Sequence, residues 1–203
     1  MEIKVVIEGV TPLLVHAFTD SDQLAATSGT RSSAAAGDRG TPQEQAASHL
    51  YIGEDGKPMI PQPNLLGCII AGGSFFKSGK QKITTQRYSL IPACVAIQEI
   101  TIPIEHKQPW KVDTRPVRIP ATGGRILRHR PCFEDWRLSF TVDLDESEIG
   151  EKLFRQIVDA AGKKVGLGDY RPSTKGPFGR FVVINWAVVE APIPMPVKKL
   201  KAA

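Results

Sequence analysis

The sequence predicts an α+β fold with a βαββαβ core, and three observations carry the prediction. Residues 2–9 alternate between apolar and polar and end at Gly9, the pattern of a half-buried strand. Two segments, from Asn64 to about Phe76 and from Asp145 to Ala161, combine helix-start residues with runs or stripes of apolar side chains. Apolar strands at 94–104, Trp136–Leu144 and Arg180–Val189 fall around them, so the order reads strand, helix, strand, strand, helix, strand. That order is the ferredoxin-like or RRM-like arrangement. The topology hosts many functions and assigns none by itself.

The chain has 203 residues, 41% of them hydrophobic, enough for a packed core and too many for a disordered chain. Residues 1–191 are read as a single domain and 192–203 as an extended basic tail, with prolines 192, 194 and 196 and three lysines across the junction. The net charge is +5. Cys68, Cys94 and Cys132 are widely spaced among apolar neighbours and form no CxxC pair, which predicts buried free thiols and no zinc site or disulfide framework. The first residues lack the pattern of a signal peptide, and no apolar run approaches the roughly 20 residues that span a bilayer. The expectation is a soluble, cytoplasmic protein without a membrane partner.

The elements follow in chain order. After the first strand, Thr11–His16 reads as a bend and a short extended piece. Residues 19–48 are rich in Ala, Ser, Thr, Gly and Gln without a regular apolar period, and read as a mobile insertion with a short helix near Pro42–Ser48. His49–Ile52 and Pro58–Ile60 flank a Gly-containing turn and predict a β-hairpin. Asn64 is the expected N-cap of the first core helix. Ser78–Gln86, with lysines 77, 80 and 82 in or beside it, reads as a basic loop. In the 94–104 and 136–144 strands the inward face of the second is Leu138, Phe140, Val142 and Leu144. The second helix has Ser147 as its candidate N-cap, a stripe of Ile149, Leu153, Ile157 and Ala160 or Ala161, and Gly162 as its stop.

Charge concentrates in an arm over residues 107–137. It carries Lys107, Lys111, Arg115, Arg118, Arg125, Arg128, Arg130 and Arg137 against Asp113, Glu134 and Asp135, a surplus equal to the net charge of the whole chain. Thr122-Gly123-Gly124 supplies a turn, so Lys111–Pro120 and Arg125–Pro131 are expected to pair as a protruding hairpin. Arginine suits phosphate forks and stacking on bases, and Trp110 and Phe133 add candidate stacking rings. The bland alternative is a solvated edge hairpin blunted by charge.

A second constellation runs from Gly166 to Phe181. Gly166, Gly168, Gly176 and Gly179 permit positive φ and close approach of backbone to a ligand, and Arg171, Lys175 and Arg180 add charge to a candidate anion-binding nest. The Walker pattern is absent, and no dinucleotide fingerprint opens a helix here. Catalytic signals are weak: the four histidines show no metal-ligand spacing, and His16, Asp20 and Asp22 are the candidates for acid–base work on RNA. No cofactor and no metal are expected.

Three motifs resemble the RAMP superfamily, the RRM-like proteins that form the repeating backbone of CRISPR effector complexes. Thr11-Pro12-Leu13-Leu14-Val15-His16 is similar to that family's strand-end motif. Met59-Ile60-Pro61-Gln62-Pro63-Asn64-Leu65-Leu66-Gly67 is similar to its proline-led approach to the first helix, without the usual Gly-Ser-Ser-Leu-Lys-Gly wording. Gly176-Pro177-Phe178-Gly179-Arg180-Phe181 stands where the family has its glycine-rich loop before the last strand. The resemblance implies that the 107–137 arm is a thumb-like hairpin reaching between subunits. It also implies that 19–48 replaces a loop which in some members carries a target-cleaving aspartate.

Together these readings predict an oligomeric, non-catalytic protein that binds single-stranded RNA or DNA, RNA favoured, as a homo-oligomer or within a larger ribonucleoprotein. A CRISPR subunit and a stand-alone phage or mobile-element relative both fit. The alternatives are a metal-independent endoribonuclease of the same fold and a protein-interaction or virion structural subunit.

Overall fold

The computed structural model describes residues 1–18, 40–118 and 123–189. In chain order, strand β1 is Glu2–Gly9 and β2 is Leu13–Leu14, followed by helix α1 at Pro42–Ser48. Strand β3, Met59–Pro61, leads into α2, Gln62–Gly73. A small hairpin of β4, Lys77–Ser78, and β5, Gln81–Lys82, precedes the single turn α3, Ile91–Cys94. Then come β6, Val95–Ile97, β7, Thr101–Pro103, and β8, Glu105–His106. Strands β9, Lys111–Arg118, and β10, Arg125–Phe133, form the arm, and β11 is Trp136–Leu144. Helix α4, Glu151–Ala160, and strand β12, Phe181–Val189, complete the set.

The main sheet has the order β12-β1-β11-β6, antiparallel throughout. With α2 between β1 and β6 and α4 between β11 and β12, this is the predicted ferredoxin-like α+β core. Alternation does the sorting. Ile3, Val5 and Ile7 of β1 and Trp136, Leu138, Phe140, Val142 and Leu144 of β11 are all buried, while the residues between them face outward. The helices close over that apolar face: α2 contributes Leu65, Cys68 and Ile69, and α4 contributes Phe154, Ile157 and Val158. Where the two helices meet, Gly72 allows backbone contact. A Cβ there would lie 2.8 Å from the Ile157 carbonyl oxygen.

Several elements differ from expectation. The short helix expected near Pro42–Ser48 does not: it is α1, started by a reciprocal capping box of Thr41 and Glu44 and packed on the arm. The rest of 19–48, from 19 to 39, lies outside the described residues, as does the 192–203 tail. The expected hairpin is short, one bridge from Ile52 to Pro58 flanked by bonds from Gly53 to Lys57 and from Met59 to Tyr51, and β3 pairs with β7 as well. The predicted strand at 94–104 is split: β6 joins the main sheet and β7 serves β3. Helix α2 starts at Gln62 with Pro61 as its cap, so Asn64 sits inside the first turn, and the helix stops at Gly73, short of Phe76. Prolines stand at both the cap and the second helical position, where a fixed φ of about −65° suits the first turn and they have no N–H to leave without an intrahelical acceptor. No side chain caps the end.

Helix α4 begins later than expected, capped by Gly150, while Ser147 instead donates its backbone N–H to Asp145 Oδ1 at 2.9 Å. Phe154 rather than Leu153 takes the inner face. Gly162 does not stop it. The helix widens into a π turn over Ala161–Val165, where a Cβ on Gly162 would run into the Phe181 carbonyl, and Gly166 at φ +76° ends it. Cys68 and Cys94 are buried free thiols as expected, but Cys132, paired directly with Lys111 on the arm, is only half-buried.

Candidate nucleic-acid interface

The arm is the hairpin the sequence predicts, with Arg125 opposite Arg118, Arg128 opposite Arg115 and Arg130 opposite Asp113. Its turn, 119–122, lies outside the described residues. Directly opposed residues share a face, so one face of the arm carries Arg115, Arg128 and Arg130 and the other carries Arg118 and Arg125. At its base β10 pairs with β2, Cys132 with Leu14 and Phe133 with Leu13. That pairing carries the strand-end motif to the arm.

The glycine-rich loop is pinned to the same segment. Gly179 donates its N–H to the Pro12 carbonyl at 2.8 Å, Asp169 to Leu14 at 2.7 Å, and Leu167 to Gly179 at 2.8 Å. The glycines exist for these contacts. Gly166, Gly168 and Gly179 have φ of +76°, +76° and +69°, and a Cβ on Gly168, Gly176 or Gly179 would collide with the carbonyl of Leu14, Tyr170 or Leu167. The close approach is therefore to the protein's own backbone rather than to a ligand. The expected anion nest is likewise consumed, because the N–H groups of Leu167, Asp169, Gly176 and Gly179 all donate within the protein. Tyr170 and Lys175 also hold positive φ, 46° and 65°, which composition does not announce.

Between this loop, α2 and the strand-end motif opens a cleft of about 410 Å³. Ile60, Cys68, Val165 and Leu167 line it with buried apolar surface, and His16, Asn64, Asp169, Arg171 and Ser173 add polar groups. Two of the three motifs, 11–16 and 59–67, thus meet the 165–173 segment at one place, and 176–181 does not line it. Gly67 lines it too, and a Cβ there would meet nothing within 4 Å. Asn64, Gly67, Asp169 and Ser173 join the cleft without a strong sequence signal for a binding role. A helix-interior glycine with no neighbour to accommodate is the signal that could have found Gly67.

The cations around the cleft are held in place. Arg130 is 6% exposed, and its Nε lies 2.9 Å from Asp169 Oδ2 without the alignment of a hydrogen bond. Arg128 donates from Nη1 to His16 Nε2 at 3.0 Å. A guanidinium has no acceptor, so that bond requires a neutral imidazole with its proton on Nδ1. Burial, then the positive potential of His49 and Arg128, holds the His16 pKa down to about 4 from its usual 6.5. Nδ1 is buried without a hydrogen-bond partner among the described residues. Arg115 lies over the Phe178 ring, 4.7 Å from its centroid, while its Nε pairs with Asp113 at 2.8 Å. These contacts clamp one face of the arm to the loop. Arg171 braces the loop internally, donating to the Gly168 carbonyl at 2.7 Å and to Ser173 Oγ at 2.9 Å. Cys68 donates its thiol to the Gly166 carbonyl at 3.2 Å, and burial pushes its pKa up to about 12, so it is a structural thiol.

Not every predicted site residue belongs here. Phe133 is 1% exposed and part of the core, so it offers no stacking face. Trp110 is half-buried against that core. Arg130 is consumed by Asp169, Lys111 is paired with Glu134 at 2.7 Å, and Arg180 turns away to the Lys163 carbonyl. Lys175 is exposed beyond the cleft. Arg118 and Arg125 lie exposed toward the end of the arm and form no ion pair among the described residues. Asp20 and Asp22 lie outside the described residues. Among the described residues no cluster of His, Cys, Asp and Glu could hold a metal, and no helix is long and apolar enough to cross a membrane.

The sequence matches no protein-family model and no curated protein. Among solved structures, the chain is similar to one in the cryo-EM structure of the type III-B Cmr-beta bound to cognate target RNA, with a TM-score of 0.54 and 14% identity. That match covers 93% of this chain and 60% of the other, so this chain spans well under two thirds of the neighbour's length. Cmr6 from Pyrococcus furiosus (TM-score 0.47, 12% identity, 90% of this chain and 97% of that one) and a type IV-B CRISPR complex (TM-score 0.47, 13% identity, all of both chains) are more distant in structure. At these identities the likeness is one of fold alone: the chain shares the α+β fold of that Cmr-beta chain.

Proposed function

We propose that the protein binds single-stranded RNA across the cleft and the basic arm, as a non-catalytic subunit of a larger ribonucleoprotein or of its own oligomer. The observation that carries this reading is unbalanced charge on the free face of the arm, whose other face is held to the cleft residues His16 and Asp169. Arg118 and Arg125 stand directly opposite each other on the arm, an arrangement that costs the isolated hairpin stability and that a phosphate backbone would relieve. The bound target RNA of the Cmr-beta assembly, which contains a chain of this fold, agrees with it. The endoribonuclease alternative asks His16 or an aspartate of the insertion to act: the accepting nitrogen of His16 is already bonded to Arg128 and its basicity is depressed, while Asp20 and Asp22 lie outside the described residues.

The test is fluorescence anisotropy of a labelled oligouridine, titrated at several salt concentrations. Replacing Arg118, Arg125 and Lys175 together by glutamine spares the clamp and the cleft. Each lost phosphate contact lowers the salt dependence of log K by roughly 0.7, so the triple variant should flatten the slope by about 2. An unchanged affinity and slope would remove the arm from the interface.

A further inference from the structure

From Lys57 to Gln98 the sequence contains no Asp or Glu, while it contains Lys57, Lys77, Lys80, Lys82 and Arg87. The structure gathers three of these on the β4–β5 hairpin at the far end of α2. Lys77 and Lys82 are directly opposed across it, and Lys80 follows Gly79, whose φ of +58° makes the turn. All three are exposed, and among the described residues none forms an ion pair. Like charges directly opposed destabilise a hairpin, so this arrangement gives the free protein nothing. The hairpin is nevertheless tied down: Ser78 donates from Oγ to the Glu148 carbonyl at 3.1 Å. Glu148 is the acid that this contact brings near, and its carboxylate pairs with none of the lysines.

An aromatic platform lies between this hairpin and the cleft. Phe75 is 50% exposed, and Lys164 Nζ sits 4.4 Å from its ring centroid. Asn64, Gly67 and Ala71, which line the cleft, are spaced three and four residues apart, and Phe75 is the next position on the same stripe. Phe75 donates its N–H to the Gly72 carbonyl, so a tighter i→i−3 turn continues past the end of α2. Exposed aromatic ring, adjacent ammonium and lysines without counter-ions are the parts of a single-strand platform.

We infer that a single strand of RNA leaving the cleft runs along α2, stacks on Phe75 and places its phosphates against Lys77, Lys80 and Lys82, so that the β4–β5 hairpin is a second RNA-contacting surface. The inference rests on the RNA reading of the cleft and extends it. From Asn64 to Gly73 the path is on the order of 15 Å at the helical rise. Only RNA longer than the cleft needs would reach the lysines.

The experiment compares oligouridines of about 4 and about 16 nucleotides, the range of single-strand site sizes. It uses wild-type protein, a K77Q/K80Q/K82Q variant and Phe75→Ala. The lysines and Phe75 are exposed, so unchanged melting temperatures are expected. For the long RNA, the triple variant should bind on the order of 10- to 100-fold more weakly at low salt, with the salt slope reduced by about 2. Phe75→Ala should bind it roughly tenfold more weakly. For the short RNA, both should match wild type. Equal losses on both lengths, or none on the long one, would overturn the inference while leaving the cleft's reading intact. Wild-type protein that binds neither RNA would overturn both. Weakened capture of an acidic protein with RNA affinity unchanged would assign the lysines to a protein partner and likewise refute the inference.

Discussion

At the scale of residues, the arm's arginines are equal in the sequence and unequal in the structure. Arg130 has left water and depends on Asp169 for its charge balance, although that carboxylate keeps a side-chain exposure of 34%. Removing Asp169 strands a buried guanidinium, whereas replacing Arg130 strands only a carboxylate that water can reach. Asp169→Asn should therefore destabilise by about 2–3 kcal/mol, reduced from the fully buried case by that exposure, and Arg130→Met by less. Urea denaturation midpoints of the two variants check the order, and a reversed order would reject the account of the pair. His16 makes a pH prediction. Its folded pKa of about 4 lies below the usual 6.5, so the unfolded chain binds the proton more readily between those values. Stability from this residue is present above about pH 6.5 and is lost as the pH falls toward 4. Melting temperature against pH should show that decline, and His16→Gln should flatten it. The sequence displays every one of these charges. What it does not display is partnership, because Arg130–Asp169 and Arg128–His16 join positions far apart in the chain.

At the scale of elements, two glycines of the same site answer to different demands. Gly179, at φ +69°, presses on the Leu167 carbonyl, so Gly179→Ala should cost roughly 2–4 kcal/mol or prevent folding, through steric overlap and strain together. Gly67 sits inside α2 with open space before it, so Gly67→Ala should stabilise by about 0.5–1 kcal/mol. The same methyl would project beside the cleft, so it should weaken RNA binding as it raises the melting temperature. A variant both more stable and equally tight would show that the space is not used. The legible elements are those with strong periodicity: β1, β11, the arm hairpin and the existence of both helices follow from alternation and turn residues. The boundaries that were misplaced have a common cause. Pro61 rather than Asn64 starts α2, and a π turn carries α4 past Gly162, since tertiary contact with Phe181 decides what local propensity leaves open. The strand at 94–104 divides because β3 competes for its second half.

At the scale of the molecule, the positive charge is arranged rather than spread. One face of the arm is spent on clamping His16 and the glycine-rich loop, the other projects Arg118 and Arg125, and the cleft lies where the 11–16 and 59–67 motifs meet the 165–173 segment. Convergence of this kind is invisible in a linear reading, which finds the motifs but not their common address. It predicts binding that tracks phosphates and stacks bases without reading sequence, and that weakens steeply with salt. The most direct measurement is the ratio of absorbance at 260 and 280 nm across the size-exclusion peak of protein purified at low salt, before and after ribonuclease. A large species rich in nucleic acid is expected, which ribonuclease, and not deoxyribonuclease, reduces to protein. A nucleic-acid-free peak whose position ribonuclease does not change would contradict it.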